Sequence, residues 1–198
     1  MLSRLFGKEK SEVKLEDQIK NLKNIGLELS PGFTIEHLLK EFDRKEFEKD
    51  PYKLLLAVMG GEVELEDQSS VPLSNKVWHF DTECIEDRGD YVRIANRLCD
   101  LSQGLLQITN LKDFVDIDNR QAWISFSLDG QEYKWDLKIE NDWVDPGIFS
   151  KFAELLNTKS KTQRFIIMVL GQDCIIALAE HDQLQKLNQL RGLDFDYL

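Results

Sequence analysis

The stretch Ala122-Trp123-Ile124-Ser125-Phe126-Ser127-Leu128-Asp129-Gly130-Gln131-Glu132-Tyr133-Lys134-Trp135-Asp136-Leu137 decides the fold class. Two alternating runs flank Asp129-Gly130, the dipeptide favoured where a two-residue hairpin turn needs positive φ at both central positions. Such a turn pairs Leu128 with Gln131, Phe126 with Tyr133, Ile124 with Trp135 and Ala122 with Leu137. The apolar partners then share one face. A slip of one residue would turn them all to the other face, so turn chemistry and hydrophobic pattern specify a single register.

Working outward, Val115 and Ile117 read as a strand before this hairpin, and Leu106 and Ile108 as another. Arg164–Leu170 and Cys174–Ala179 are β-rich runs joined by Gly171-Gln172-Asp173, which predicts a second hairpin. Between the hairpins, Asp145-Pro146 predicts a helix start, with Phe149, Phe152, Ala153 and Leu156 on its buried face and Val144 stapled to Phe149. A last helix carries Leu184, Leu187 and Leu190, and the tail from Leu193 adds a short strand.

The first half is helical. Leu15, Ile19 and Leu22 recur at helical spacing, with Ser11 as cap and Gly26 as stop. Thr34 caps a helix carrying Ile35, Leu38, Leu39 and Phe42. Asp50-Pro51 predicts a helix over Tyr52–Met59 that is apolar nearly all round and therefore buried, stopped by Gly60-Gly61. The polar segment 62–76, which holds Pro72, reads as one long loop and the place for a hinge. Val77–Glu83 alternates as a strand, with Trp78 and Phe80 on one face and His79, Asp81 and Glu83 on the other. Asp90 caps a helix whose face is Tyr91, Ile94, Ala95, Leu98 and Cys99.

Helices first and hairpins later predict an α+β fold: a mainly antiparallel sheet built from hairpins and covered by helices on one face. The expected organisation is a charged N-terminal segment and helix over 1–25, then a single α+β domain over 26–198. At 198 residues the chain is long enough for one full core.

The net charge of −11 would repel phosphate backbones, so nucleic acid is not an expected partner and a basic protein is. No apolar run approaches the roughly 18 residues of a membrane span, and the N-terminus lacks the apolar core of a secretory signal. Three cysteines, Cys84, Cys99 and Cys174, are odd in number and match no zinc or redox spacing. A reducing cytoplasm is the expected location, with no metal and no cofactor.

His79, Asp81 and Glu83, at period two, have the ligand types for a divalent cation, yet the wet face of an edge strand produces the same pattern. Cys174 sits where a nucleophile can occur, but a cysteine nucleophile needs a nearby histidine base, and the plainer reading is a small buried residue opening a strand. Asp136, Glu140, Asp142 and Asp145 are better explained as solvated or capping carboxylates than as an acid/base pair. Trp143, between Asp142 and Val144, is either a core contact or an interface anchor. Asp81 to Asp90 holds five carboxylates against Arg88 alone. These features predict a partner-binding surface comprising Asp81, Glu83, Glu86, Asp87, Asp142 and Trp143.

Asp50-Pro51-Tyr52-Lys53-Leu54-Leu55-Leu56 with Gly60-Gly61-Glu62, the run Trp78–Asp87 with Gly89-Asp90-Tyr91, and Asn141-Asp142-Trp143-Val144-Asp145 also carry a resemblance. From Gly26 onward the chain resembles small bacterial proteins associated with immunity to toxins. The resemblance implies a small acidic protein that neutralises a toxin by tight binding. It transfers no functional residue, because that class shares no motif. The leading expectation is thus a non-enzymatic acidic binding protein, an immunity or inhibitor protein. Behind it stand an accessory protein in a stable complex, and an enzyme of unfamiliar type using His79, Asp81, Glu83 or Cys174.

Overall fold

A computed structural model describes residues 12–64 and 70–198 of the chain. Its elements, in chain order, are α1 (Leu15–Ile25), α2 (Ile35–Glu41), α3 (Arg44–Lys49), α4 (Lys53–Gly60), β1 (Glu62–Glu64), β2 (Ser70–Pro72), β3 (Val77–Asp81) and α5 (Asp90–Leu101). The second half holds β4 (Ile108–Asp116), β5 (Gln121–Leu128), β6 (Gln131–Leu137), α6 (Gly147–Lys159), β7 (Gln163–Val169), β8 (Asp173–Glu180), α7 (His181–Leu187) and β9 (Asp196–Tyr197). The fold is α+β, with antiparallel sheets built from hairpins.

Among the described residues the strands form three sheets: the pair β1-β2, the four-stranded β3-β8-β7-β9, and the meander β4-β5-β6. The hairpin at Asp129-Gly130 has the expected register, including Ile124↔Trp135 and Phe126↔Tyr133. Both turn residues hold positive φ, 52° at Asp129 and 81° at Gly130. The second hairpin pairs β7 with β8 from Gln163↔Glu180 to Val169↔Cys174.

The four-stranded sheet separates two cores. Phe165, Cys174, Ile176 and Leu178 face one side, where Trp78 and Phe80 join α5, α6 and the meander. Ile166, Ile175, Ala177 and Ala179 face the other, where Val77 joins α1, α2, α3, α4 and α7. Strand β8 is buried on both faces along nearly its whole length, so its sequence is a continuous apolar run rather than an alternating one. Helices therefore lie against both faces of this sheet.

Several local expectations shift. Asp50-Pro51 does not open α4. Asp50 ends α3, its N–H bonding Glu46 O, and α4 begins only after Tyr52, whose φ is 70°. Tertiary bonds hold that unusual backbone: Tyr52 N donates to Gln18 Oε1 at 2.9 Å, and its hydroxyl accepts from Asn21 Nδ2 at 2.8 Å. Asp90 is the first residue of α5, not its cap. Its carboxylate accepts the N–H groups of Glu86 and Asp87, while Asp113 on β4 takes those of Gly89 and Val92. The segment 62–76 contains the strands β1 and β2, registered Val63↔Val71. The expected strands around Ile108 and Val115 are one strand, β4, with a register irregularity between Thr109 and Lys112. The expected cap Ser11 lies outside the described residues. Among the described residues, no helix is long and apolar enough to cross a membrane.

Candidate partner-binding site

The end of β3 is laced to two distant segments by main-chain bonds. Thr82 N donates to Gln172 O at 3.3 Å, in the β7–β8 turn. Val144 N donates to Thr82 O at 2.9 Å, and the N–H groups of Cys84 and Ile85 both reach Asp142 O, at 2.9 and 2.8 Å. Glu83 and Trp143 form an antiparallel bridge. Segments far apart in the chain thus share one scaffold, and the side chains between them are held by backbone geometry rather than by a mobile loop.

That scaffold frames a cleft of about 450 Å³. Trp143, Val144, Phe149, Ile167 and Val169 supply its apolar walls. Two of these are unusually exposed for their type, Trp143 at 38% and Val169 at 68%. The charged residues lining the cleft are Glu140 and Asp173, both acidic. Beside it, Gln172 Nε2 donates to Asp81 Oδ1 at 3.0 Å and to Glu83 Oε2 at 2.8 Å. The Glu83 amide, followed by this Gln172 contact, holds Asp81 below the usual carboxylate range, so Asp81 is ionised at neutral pH.

The sequence-predicted residues divide. Trp143 lines the cleft, while Asp81 and Glu83 do not line it and sit beside it, tied to Gln172, with Glu83 bridged to Trp143. Asp142 contributes its main-chain carbonyl to the lacing and is half-buried. Glu86 and Asp87 are exposed on the turn that opens α5, and neither lines the cleft. Sequence reasoning missed Val169, Gln172 and Asp173, and read Glu140 only as a solvated carboxylate. Val169 carried a weak signal, since it continues the Phe165–Ile167 face into a turn. Gln172 carried none, because its importance arises only from the pairing of β3 with β8.

The catalytic alternatives do not assemble. His79, Asp81 and Glu83 do not converge: His79 Nε2 lies 3.5 Å from Asp173 Oδ2, while the two carboxylates engage Gln172. Among the described residues, no group of three or more His, Cys, Asp or Glu side chains is placed to hold a metal ion. Cys174 is 2% exposed, and burial pushes its thiol up to about 12. It stays protonated at neutral pH and is a poor nucleophile. Its cross-strand neighbour is Phe80; His79 pairs with Ile175, on the opposite face of the sheet. The cysteine and the histidine therefore cannot form a nucleophile–base pair.

Compared with known protein families, curated proteins and solved structures, the chain matches none of them.

Proposed function

We propose that this chain is a non-enzymatic binding protein, an inhibitor of the immunity type, that docks a basic segment of a partner protein in the Trp143–Val169 cleft. One observation carries the reading: an apolar cleft whose charged lining residues are both acidic, with Asp81 held ionised and Glu83 bonded to Gln172 beside it. Apolar walls provide affinity on closure, and the carboxylates select a cationic partner and steer its approach. The overall charge of −11 acts in the same direction at long range.

The test is capture of the native partner by the wild-type chain and by Trp143→Ala, followed by binding kinetics across ionic strength. The partner should be basic, and its association rate should fall as salt rises. Trp143→Ala should cost about 2 kcal/mol or more of binding, mostly through faster dissociation, because buried aromatic anchors dominate interfaces. Charge reversal at Asp81 and Glu83 should slow association with the fold intact. An acidic partner, salt-indifferent kinetics, or unchanged affinity in Trp143→Ala would each refute the reading.

A further inference from the structure

A second cavity, of about 280 Å³, lies between α5, β3 and the junction of α4 with β1. Arg93 and Arg97, one helical turn apart on α5, both line it, and His79 joins them from β3. Arg97 is 6% exposed. Its Nη2 donates to Ser74 O and Val77 O, each at 2.8 Å. Its Nε has no acceptor among the described residues. No carboxylate among them forms an ion pair with Arg97. Burial lowers its pKa, and Asp100 and Glu62, acting from a distance, oppose that only in part.

This arrangement is expensive without an anion. A buried guanidinium lacking a carboxylate leaves much of its desolvation uncompensated. Like charges four apart on a helix repel as well. Arg93 is well exposed, with a single long contact to Asp90 Oδ1 at 3.4 Å, so its fork is available to the cavity. Glu62 and Asp81 also line the cavity. Asp81 is already engaged by the Glu83 amide and Gln172, and Glu62 is exposed, where water screens it. The charge left unbalanced inside is that of Arg97.

We propose that this cavity binds a small oxyanion, a phosphate or sulfate group, held by Arg97 and Arg93. Guanidinium groups suit such ligands because their donors match two oxygens at once. The group has two sources: a free inorganic ion, or an ester on a small apolar molecule. The ester is a serious source because a mainly apolar cleft of about 430 Å³ adjoins the cavity, sharing Gly61, Glu62 and His79 as lining. Phe42, Leu54, Ala57, Val58 and Leu170 line that neighbour.

The experiment titrates the full chain with inorganic phosphate and, separately, with hexyl phosphate, against sodium chloride at equal ionic strength, by calorimetry. Saturable one-to-one binding is expected, weakened about tenfold in Arg93→Gln, which removes one charge-assisted contact from an exposed position. Arg97→Lys, which keeps the charge but loses the fork, should weaken it at least as much. Hexyl phosphate binding more tightly than inorganic phosphate identifies an ester; equal or weaker binding identifies the free ion. Trp143→Ala should leave phosphate affinity unchanged, which separates this site from the acidic cleft. Absence of saturable binding in the wild-type chain, or equal affinity in Arg93→Gln, overturns the proposal.

Discussion

On one face of the four-stranded sheet, the β5–β6 hairpin turns at two adjacent residues with positive φ, and each apolar residue pairs with a near neighbour in sequence. On the other face, Tyr52 also holds positive φ, but no local turn dictates it. A bond from Tyr52 N to Gln18 Oε1, across to another helix, keeps it there. The same Gln18, fully buried, donates to Val13 O at 2.8 Å and Phe47 O at 2.9 Å, so one amide ties α1, α3 and the start of α4 together. The meander layer is specified by local pattern, the helical layer by single long-range contacts. The helical layer should therefore be the more sensitive of the two to single substitutions at residues that look unremarkable in sequence.

The largest effect is expected at Gly60. A Cβ there would lie 2.3 Å from His79 N and 2.8 Å from Trp78 C, which are backbone atoms that cannot rotate away. Gly60→Ala must push α4 off β3 and should cost about 3 kcal/mol, read as a lower urea midpoint at constant slope. Gln18→Met comes next. It keeps the volume but strands the Tyr52 amide and the two carbonyls, for a loss of about 2 kcal/mol. In the meander layer, a Cβ at Gly130 meets no atom within 4 Å, so Gly130→Val suffers chiefly from its φ of 81°. The expected loss is about 1 kcal/mol, by the same measurement. If Gly130→Val proved costlier than Gly60→Ala, the contrast between the layers would be broken.

A separate expected effect is a pH dependence on the meander side. Cys84, Cys99 and Cys174 all belong to that core, and burial pushes their thiols up from 9.0 to about 11, 12 and 12. In the unfolded chain they lose protons first, so above pH 9 the folded state binds more protons and stability falls as pH rises. The contribution is intact below pH 9 and is lost progressively toward pH 12. Cys99→Ala should flatten that alkaline limb. Thiol-directed alkylation at pH 8 should be slow in the native protein and rapid after unfolding.

What the sequence made legible follows the same division. The Asp129-Gly130 hairpin was readable because turn residues and alternation lie within one short window. The β7–β8 hairpin was readable for the same reason. Asp50-Pro51 misled because a cap-plus-proline signature also suits a helix end followed by a turn, and the deciding partner, Gln18, is distant in sequence. At the candidate site, Asp81, Glu83 and Trp143 stood out by charge and residue type. Their adjacency depends on β3 pairing with β8 and on the bridge of Glu83 to Trp143, which no local pattern encodes. Arg97 did leave a trace: it sits among Ile94, Ala95 and Leu98, a charge beside an apolar helical stripe.

The position of β8 also sets a schedule for folding. Val77 pairs with Ala177, half the chain away, and both cores use β8 as their common wall. While the chain is being synthesised, α1 to α6 and the meander can form, but neither layer can close until the last quarter emerges. A hairpin such as β5–β6 closes within about 1–10 μs, whereas pairings of such long sequence separation are slow. Until β8 arrives, the apolar faces of both layers stand open together, and a nascent chain stalled before Asp173 presents two sticky surfaces instead of one.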